Sequence, residues 1–146
     1  MVALNNSGLK VEISPDNSAW TDISGYSNNI DPGDMVRMDG EAFNFSADKG
    51  EVTTGKLAIR EISLDILYTE GASDVADTIR DAIEANTTYY LRWSPQGGST
   101  GDLRYTSDAG KWISVNDPSG QADSPDPAIL TAVFKTPFVT KSTIAA

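Results

Sequence analysis

Apolar and polar residues alternate along most of this chain. Leu9, Val11 and Ile13 alternate with Lys10, Glu12 and Ser14, a period of two that predicts a half-buried strand. Ser14-Pro15-Asp16-Asn17-Ser18 is a turn cluster, because Pro presets φ and Asp and Asn close local hydrogen bonds. Trp20–Ile23 predicts a short second strand. Ser24–Asp34, with its Gly, Asn and Pro residues, reads as a loop. Met35–Ser46 reads as extended, with Val36, Met38 and Ala42 on one parity and Phe43 and Phe45 on the other. Ala47–Gly55 reads as a polar connection. Lys56–Thr69 is the longest strand candidate, with Ile62, Leu64, Ile66 and Tyr68 on one face and Glu61, Ser63 and Asp65 on the other. Before Arg60 the parity flips to Leu57 and Ile59, which signals a β-bulge or a change of apolar environment. At 3.3 Å per residue such a strand spans about 45 Å, longer than a small domain needs, so part of it is expected to project toward a partner.

One helix interrupts the strands. Ser73 is a candidate cap for a helix over about 73–86, with Asp74 and Asp77 in its first turns, where the helix dipole favours acids. Val75, Ile79 and Ile83 form its apolar stripe with Ala72, Ala76 and Ala82 beside them, while Asp77, Arg80, Asp81 and Glu84 face solvent. Thr88–Trp93 and Leu103–Ser107 then read as two strands around the glycine-rich segment Ser94–Gly101. Ser107-Asp108-Ala109-Gly110 reads as a hairpin turn with Gly at positive φ, followed by a strand over Lys111–Val115. Asn116–Pro127 is a long loop, Ala128–Thr136 a strand around Leu130, Ala132 and Phe134, and Phe138–Ile144 a last arm. Many strands and one helix predict a mainly β fold: an antiparallel β-sandwich or partial barrel with one flanking helix. It is read as a single domain over 1–146, with an extended loop at about 31–55 and a C-terminal arm at about 137–146.

Composition narrows the function. At 146 residues the chain is long enough to bury about 68–70% of its unfolded surface without disulfide or metal. Cysteine and histidine are both absent. That removes Ser-His-Asp and Cys-His nucleophilic arrangements and the usual zinc sites. Net charge is −10, from 21 acids and 11 bases. This argues against tight nucleic-acid binding, which rests on Lys and Arg neutralising phosphates. It serves solubility, or an acidic face past which a polyanion slides without adhering. No run approaches the ~18 apolar residues of a membrane span, and no secretory signal is visible at the start.

The remaining chemical candidates are weak. Gly50–Leu57 nearly matches a phosphate-binding loop, but Leu57 stands where the Mg²⁺-binding hydroxyl belongs and a strand follows in place of a helix. Glu61 and Asp65 lie about 13 Å apart along one strand, too far for paired-carboxylate glycoside chemistry. Asp117, Asp123 and Asp126 share a loop without EF-hand spacing, so a solvated acidic loop is the simpler account and a metal there is left open. Trp20, Trp93 and Trp112 either line a sugar-binding face or pack in the core, the commoner fate. No catalytic residue, cofactor or metal ligand is assigned; the expectation is a structural protein, not an enzyme.

Residues 55–142 carry a resemblance. Gly55-Lys56, a long strand ending Ile66-Leu67-Tyr68-Thr69-Glu70-Gly71, a short helix, Tyr90-Leu91-Arg92-Trp93-Ser94-Pro95-Gln96-Gly97-Gly98, then Gly101, Tyr105, the Asp-rich loop and Lys135-Thr136-Pro137-Phe138-Val139-Thr140-Lys141 resemble the tail tube (major tail) proteins of long non-contractile-tailed bacteriophages and prophages. The resemblance implies six-copy rings stacked into a hollow tube that conducts DNA in the virion tail, made in the host bacterial cytoplasm. Implied partners are further copies of the chain, other tail proteins (terminator, tape measure, distal tail) and passing DNA, with no membrane. Within it, Asp34, Asp39, Glu41, Asp48, Glu51, Glu61 and Asp65 are candidate lumen or inter-subunit acids. Gly97, Gly98, Lys135 and Lys141 are candidate inter-ring contacts. The alternatives are a carbohydrate-binding β-sandwich using the three Trp residues, and a tail terminator or capsid decoration protein.

Overall fold

The structure, a computed structural model, describes residues 3, 6–71 and 74–145. After a 3-10 turn at Asn6–Gly8, the described residues form strands β1 (Lys10–Ser14), β2 (Thr21–Asp22), β3 (Ser27–Asp31), β4 (Arg37–Ala42), β5 (Glu51–Leu57) and β6 (Arg60–Leu67). Helix α1 (Val75–Glu84) comes next, then β7 (Thr88–Ser94), β8 (Leu103–Ser107), β9 (Gly110–Val115), β10 (Ile129–Thr136) and β11 (Val139–Thr143). Every strand pair is antiparallel, and the fold is the mainly β, one-helix architecture that the alternation predicts.

Nine strands form one sheet: seven follow the path β11-β8-β7-β9-β10-β6-β3, and β1 branches from β7 with β2 beside it. β7 is its corner. Thr88 and Tyr89 pair with β9, whereas Tyr90–Ser94 pair with β1, and Arg92 and Trp93 also with β8. One strand thus leaves one layer and enters the other, and the sheet stays open rather than closing as a barrel. The inward residues of both layers meet in a single core: Val11 and Ile13, Ile62, Leu64 and Ile66, Leu91 and Trp93, Trp112, and Leu130, Ala132 and Phe134. α1 packs against β9 and β6 and adds Val75, Ala76, Ile79 and Ala82 to that core. Its Arg80, Asp81 and Glu84 are exposed, as the stripe predicts. Ser73, the expected cap, and Ala72 lie outside the described residues; Asp74 stands at the N-cap position without a side-chain cap bond.

Four local expectations are corrected. Ser27–Asp31 is a strand, not a loop: it pairs with β6 as the polar edge of its layer, where only one alternate position meets the core and the alternation signal vanishes. Residues 51–55, expected to lie in a polar connection, belong to strand β5 (Glu51–Leu57). The long strand breaks at Ala58-Ile59, the place where the parity flips, so β5 and β6 are separate elements. Finally, Ser107–Gly110 is not a hairpin turn. β8 pairs with β7 and β11, β9 with β7 and β10, so this corner carries the chain between layers. Gly110 is required for space rather than for positive φ: a Cβ there would lie 2.4 Å from Lys135 O and 2.7 Å from the Phe134 ring. The corner is tied down by Asp108 N donating to Phe138 O (2.9 Å) and by Thr136 Oγ1 donating to Asp108 O (3.0 Å).

Candidate assembly surface

Among the described residues β4 and β5 pair with each other and with no other strand, so they form a separate two-stranded arm. The sequence folds this way because Val52, Thr53 and Thr54 are β-branched, and because Gly40 and Gly50 leave room across the ladder. Gly40 faces Thr53, and the Phe43 ring lies over Gly50, where an added Cβ would meet it at 2.4 Å. Arg37 Nη1 donates to Gly55 O across the pair (2.8 Å), and Asn44 Oδ1 accepts from Ser46 N at the tip (3.0 Å). These contacts shape the arm but bury almost nothing. Every residue of β5 is exposed. Met35, Phe43, Val52 and Ile59 are between 69% and 75% exposed, and Phe45 is fully exposed. Met38, Val36 and Leu57 add to the same stretch. Covering one such side chain is worth roughly 1.5–3 kcal/mol, and an isolated two-stranded hairpin is marginal in water. The arm is therefore a surface that gains most from a partner.

The candidate acids distribute around this arm. Asp34 lies at its base, Asp39 and Glu41 share one face with Val52 and Thr54, Glu51 lies on the opposite face beside Ala42, and Asp48 is at the tip. Glu61 and Asp65 belong to the body. Each already has a cross-strand partner on β10: Lys135 Nζ lies 3.8 Å from Glu61, and Thr131 Oγ1 donates to Asp65 at 2.8 Å. Of the four candidate contact residues, Lys135 is thus engaged within its own chain. Lys141 is exposed on the edge strand β11. Gly97 and Gly98 both take positive φ (101° and 84°), Gly97 close to Gly8 O and Gly98 against the Lys10 stem, so the loop folds back on the N-terminal turn. What the sequence reading missed is the arm as a unit. Its signal was present in the β-branched Val52-Thr53-Thr54 and in the alternation of Val36, Met38 and Ala42 with Arg37, Asp39 and Glu41.

The other chemical candidates disperse. Trp93 and Trp112 are core residues at 4% exposure, and Trp20 is covered by Arg92, whose guanidinium carbon lies 4.1 Å from the ring centroid. Arg92 in turn donates to the buried Glu12 carboxylate from Nε (3.1 Å) and Nη2 (3.0 Å). The three Trp residues therefore form no flat sugar-binding platform. Gly50–Leu57 is the arm's second strand, not a phosphate loop. A groove of about 490 Å³ runs between α1 and the ends of β6, β9 and β10, crossed at its rim by the exposed Arg80–Asp117 ion pair. Among the described residues no cluster of three metal-ligating side chains occurs, and no helix is long and apolar enough to cross a membrane.

No protein-family model and no curated protein matches the chain. Solved structures do. A chain of an extracellular contractile injection system, from its PVC sheath–tube complex in the extended state, superposes with TM-score 0.77 at 15% identity, covering 97% of this chain and 93% of that one. A chain from the sheath/tube terminator of such a system gives 0.77 at 16% identity, covering 98% and 99%. A chain from the tail of an empty gene transfer agent particle, solved with C6 symmetry, gives 0.68 at 14% identity, covering 98% and 100%. At these identities the likeness is one of fold. The fold is tail-tube-like, and the likeness does not single out the long non-contractile tails that the sequence resembles.

Proposed function

We propose that this chain is a structural subunit of the tail tube of a phage-like particle, assembling as six-membered rings that stack around a hollow channel. The observation that carries this reading is the arm: a tail-tube-like body with a core of its own extends a hairpin whose apolar residues Met35, Phe43, Phe45 and Val52 are largely exposed. In a stack, the arm packs on a neighbouring copy, and burial of Phe43, Phe45, Val52 and Met35 drives assembly. The open edges β3 and β11 offer main-chain groups for pairing within a ring. The similarity to a C6-symmetric tail supports six copies.

The acids Asp34, Asp39, Glu41, Asp48, Glu51, Glu61 and Asp65 supply negative charge to the channel wall or to subunit contacts, so that DNA slides past without adhering. Gly97, Gly98, Lys135 and Lys141 are the proposed inter-ring contacts. No catalysis or cofactor enters this role. Partners are further copies, the tail's terminator, tape measure and distal proteins, and the passing DNA, in a virion tail assembled after synthesis in the bacterial cytoplasm. The similarity to terminator chains favours one second reading, a protein that stops at a single ring.

Negative-stain microscopy of the purified protein separates the two. Long tubes are expected from a tube subunit and single rings from a terminator; a protein that stays monomeric at every concentration contradicts both.

A further inference from the structure

Arm and body meet at the two chain connections and where Met35, Val36 and Leu57 face Pro137–Val139 across a small cavity. β3 passes to β4 through Pro32–Val36, and β5 passes to β6 through Ala58 and Ile59. Inside this junction Ala58 N donates to Val36 O at 2.7 Å. Gly33 takes φ of 65°, and a Cβ there would lie 2.5 Å from Glu61 O, so glycine alone fits the turn on which the arm leaves the body.

Arg60, the first residue of β6, fills the same junction. Its Nε donates to Pro32 O at 2.8 Å and its Nη2 to Gly33 O at 3.4 Å. Its guanidinium carbon also lies 6.0 Å from the centroid of Trp93, a core ring stacked on Tyr105 at 5.4 Å. Among the described residues no carboxylate pairs with Arg60. Its charge is held by two consecutive carbonyls and an aromatic face. A planar fork satisfies that geometry; a lysine point charge does not.

We infer that Arg60 is the positioning residue that fixes the direction of the arm, tying the pivot at Pro32-Gly33 to the core pair Trp93–Tyr105. The lever is long enough for this to matter. Six residues of strand extend about 20 Å, so a swing of roughly 15° carries the arm's tip about 5 Å, one inter-strand spacing. An arm held at one angle meets its partner surface already oriented, which lowers the ordering cost of association. The inference rests on the junction and is independent of the tube reading.

The test uses dispersed full-length protein. The chain has no cysteine, so Ser46→Cys at the arm tip and Asp81→Cys on the outer face of α1 accept spin labels at two known places. Pulsed dipolar spectroscopy then reads the tip-to-body distance. One narrow distribution is expected in the wild-type background. Arg60→Ala and Arg60→Lys should both widen it beyond the labels' own spread, with the body's thermal melting kept. Gly33→Ala should displace it. If Arg60→Ala fails to fold, Arg60→Lys and Gly33→Ala carry the test. A wild-type distribution as broad as the variants', or variants that retain the wild-type distribution, overturns the inference.

Discussion

β5 and β6 are neighbours in the chain, separated by Ala58 and Ile59, yet they meet opposite fates. On β6, Ile62, Leu64 and Ile66 have no exposed surface, and the outward Glu61 and Asp65 are matched across the ladder by Lys135 and Thr131. On β5 every residue is exposed, Val52 at 73%. Both strands pair antiparallel, but β6 lies between β3 and β10 whereas β5 pairs with β4. β6 also has a second layer over its inner face, and β5 does not. The body is a finished fold, and the arm is half of an interface.

Charge placed on each strand breaks this comparison most sharply. Leu64→Asp should abolish the cooperative melting transition, since even truncation of a buried Leu costs about 2–5 kcal/mol and an unpaired buried carboxylate costs more. Val52→Asp, the same insult on the arm, should leave the melting transition in place. Next in size is the paired change Phe43→Ser with Phe45→Ser. At roughly 1.5–3 kcal/mol per covered side chain, the concentration needed for assembly should rise about 100-fold or more, measured by sedimentation, with stability of the dispersed chain within about 0.5 kcal/mol of wild type. A loss of stability matching the loss of assembly would erase the distinction between body and arm. Gly110→Ala belongs to the body alone. Its Cβ would meet Lys135 O, so it should destabilise the chain by about 1–3 kcal/mol in chemical denaturation.

How much of this was legible follows from what each residue faces. Ile62, Leu64 and Ile66, and Leu130, Ala132 and Phe134, announce strands because one face is core and the other is not. Ser27–Asp31 and Glu51–Leu57 are silent in that respect: the first is a polar edge and the second is exposed on both faces. The parity flip before Arg60 correctly marks a discontinuity, but sequence alone does not separate a bulge from a break. Gly110 carries the residue type of a turn for a different reason, the close approach of β10. The candidate acids were visible as residues, whereas their division between arm and body depends on the pairing of β4 with β5, which alternation along one strand does not reveal. Arg60 left no sequence signal, because its partners are backbone carbonyls and a distant tryptophan.

The smallest expected effect lies in the β1–β2 turn, far from the arm. Asp16 accepts from Ala19 N (2.9 Å), Ser18 N (3.0 Å) and Ser14 Oγ (3.0 Å), which hold its carboxyl down at about 2. A depressed carboxylate stabilises the fold above its unfolded value of 3.8, and that contribution is lost as pH falls through about 2. Asp16→Asn should therefore melt slightly below wild type at neutral pH, and the two melting curves should converge in strong acid. Assembly should be unaffected, since the turn lies outside the arm and the proposed ring contacts.

Cryo-electron microscopy of the assembled particle would show what covers the arm. Stacked rings are expected in which Phe43, Phe45 and Val52 of each arm are buried against a neighbouring copy, around a channel whose wall is predominantly acidic. An assembly in which those three side chains remain in solvent, or whose channel is lined mainly by Lys and Arg, would contradict the proposed assembly.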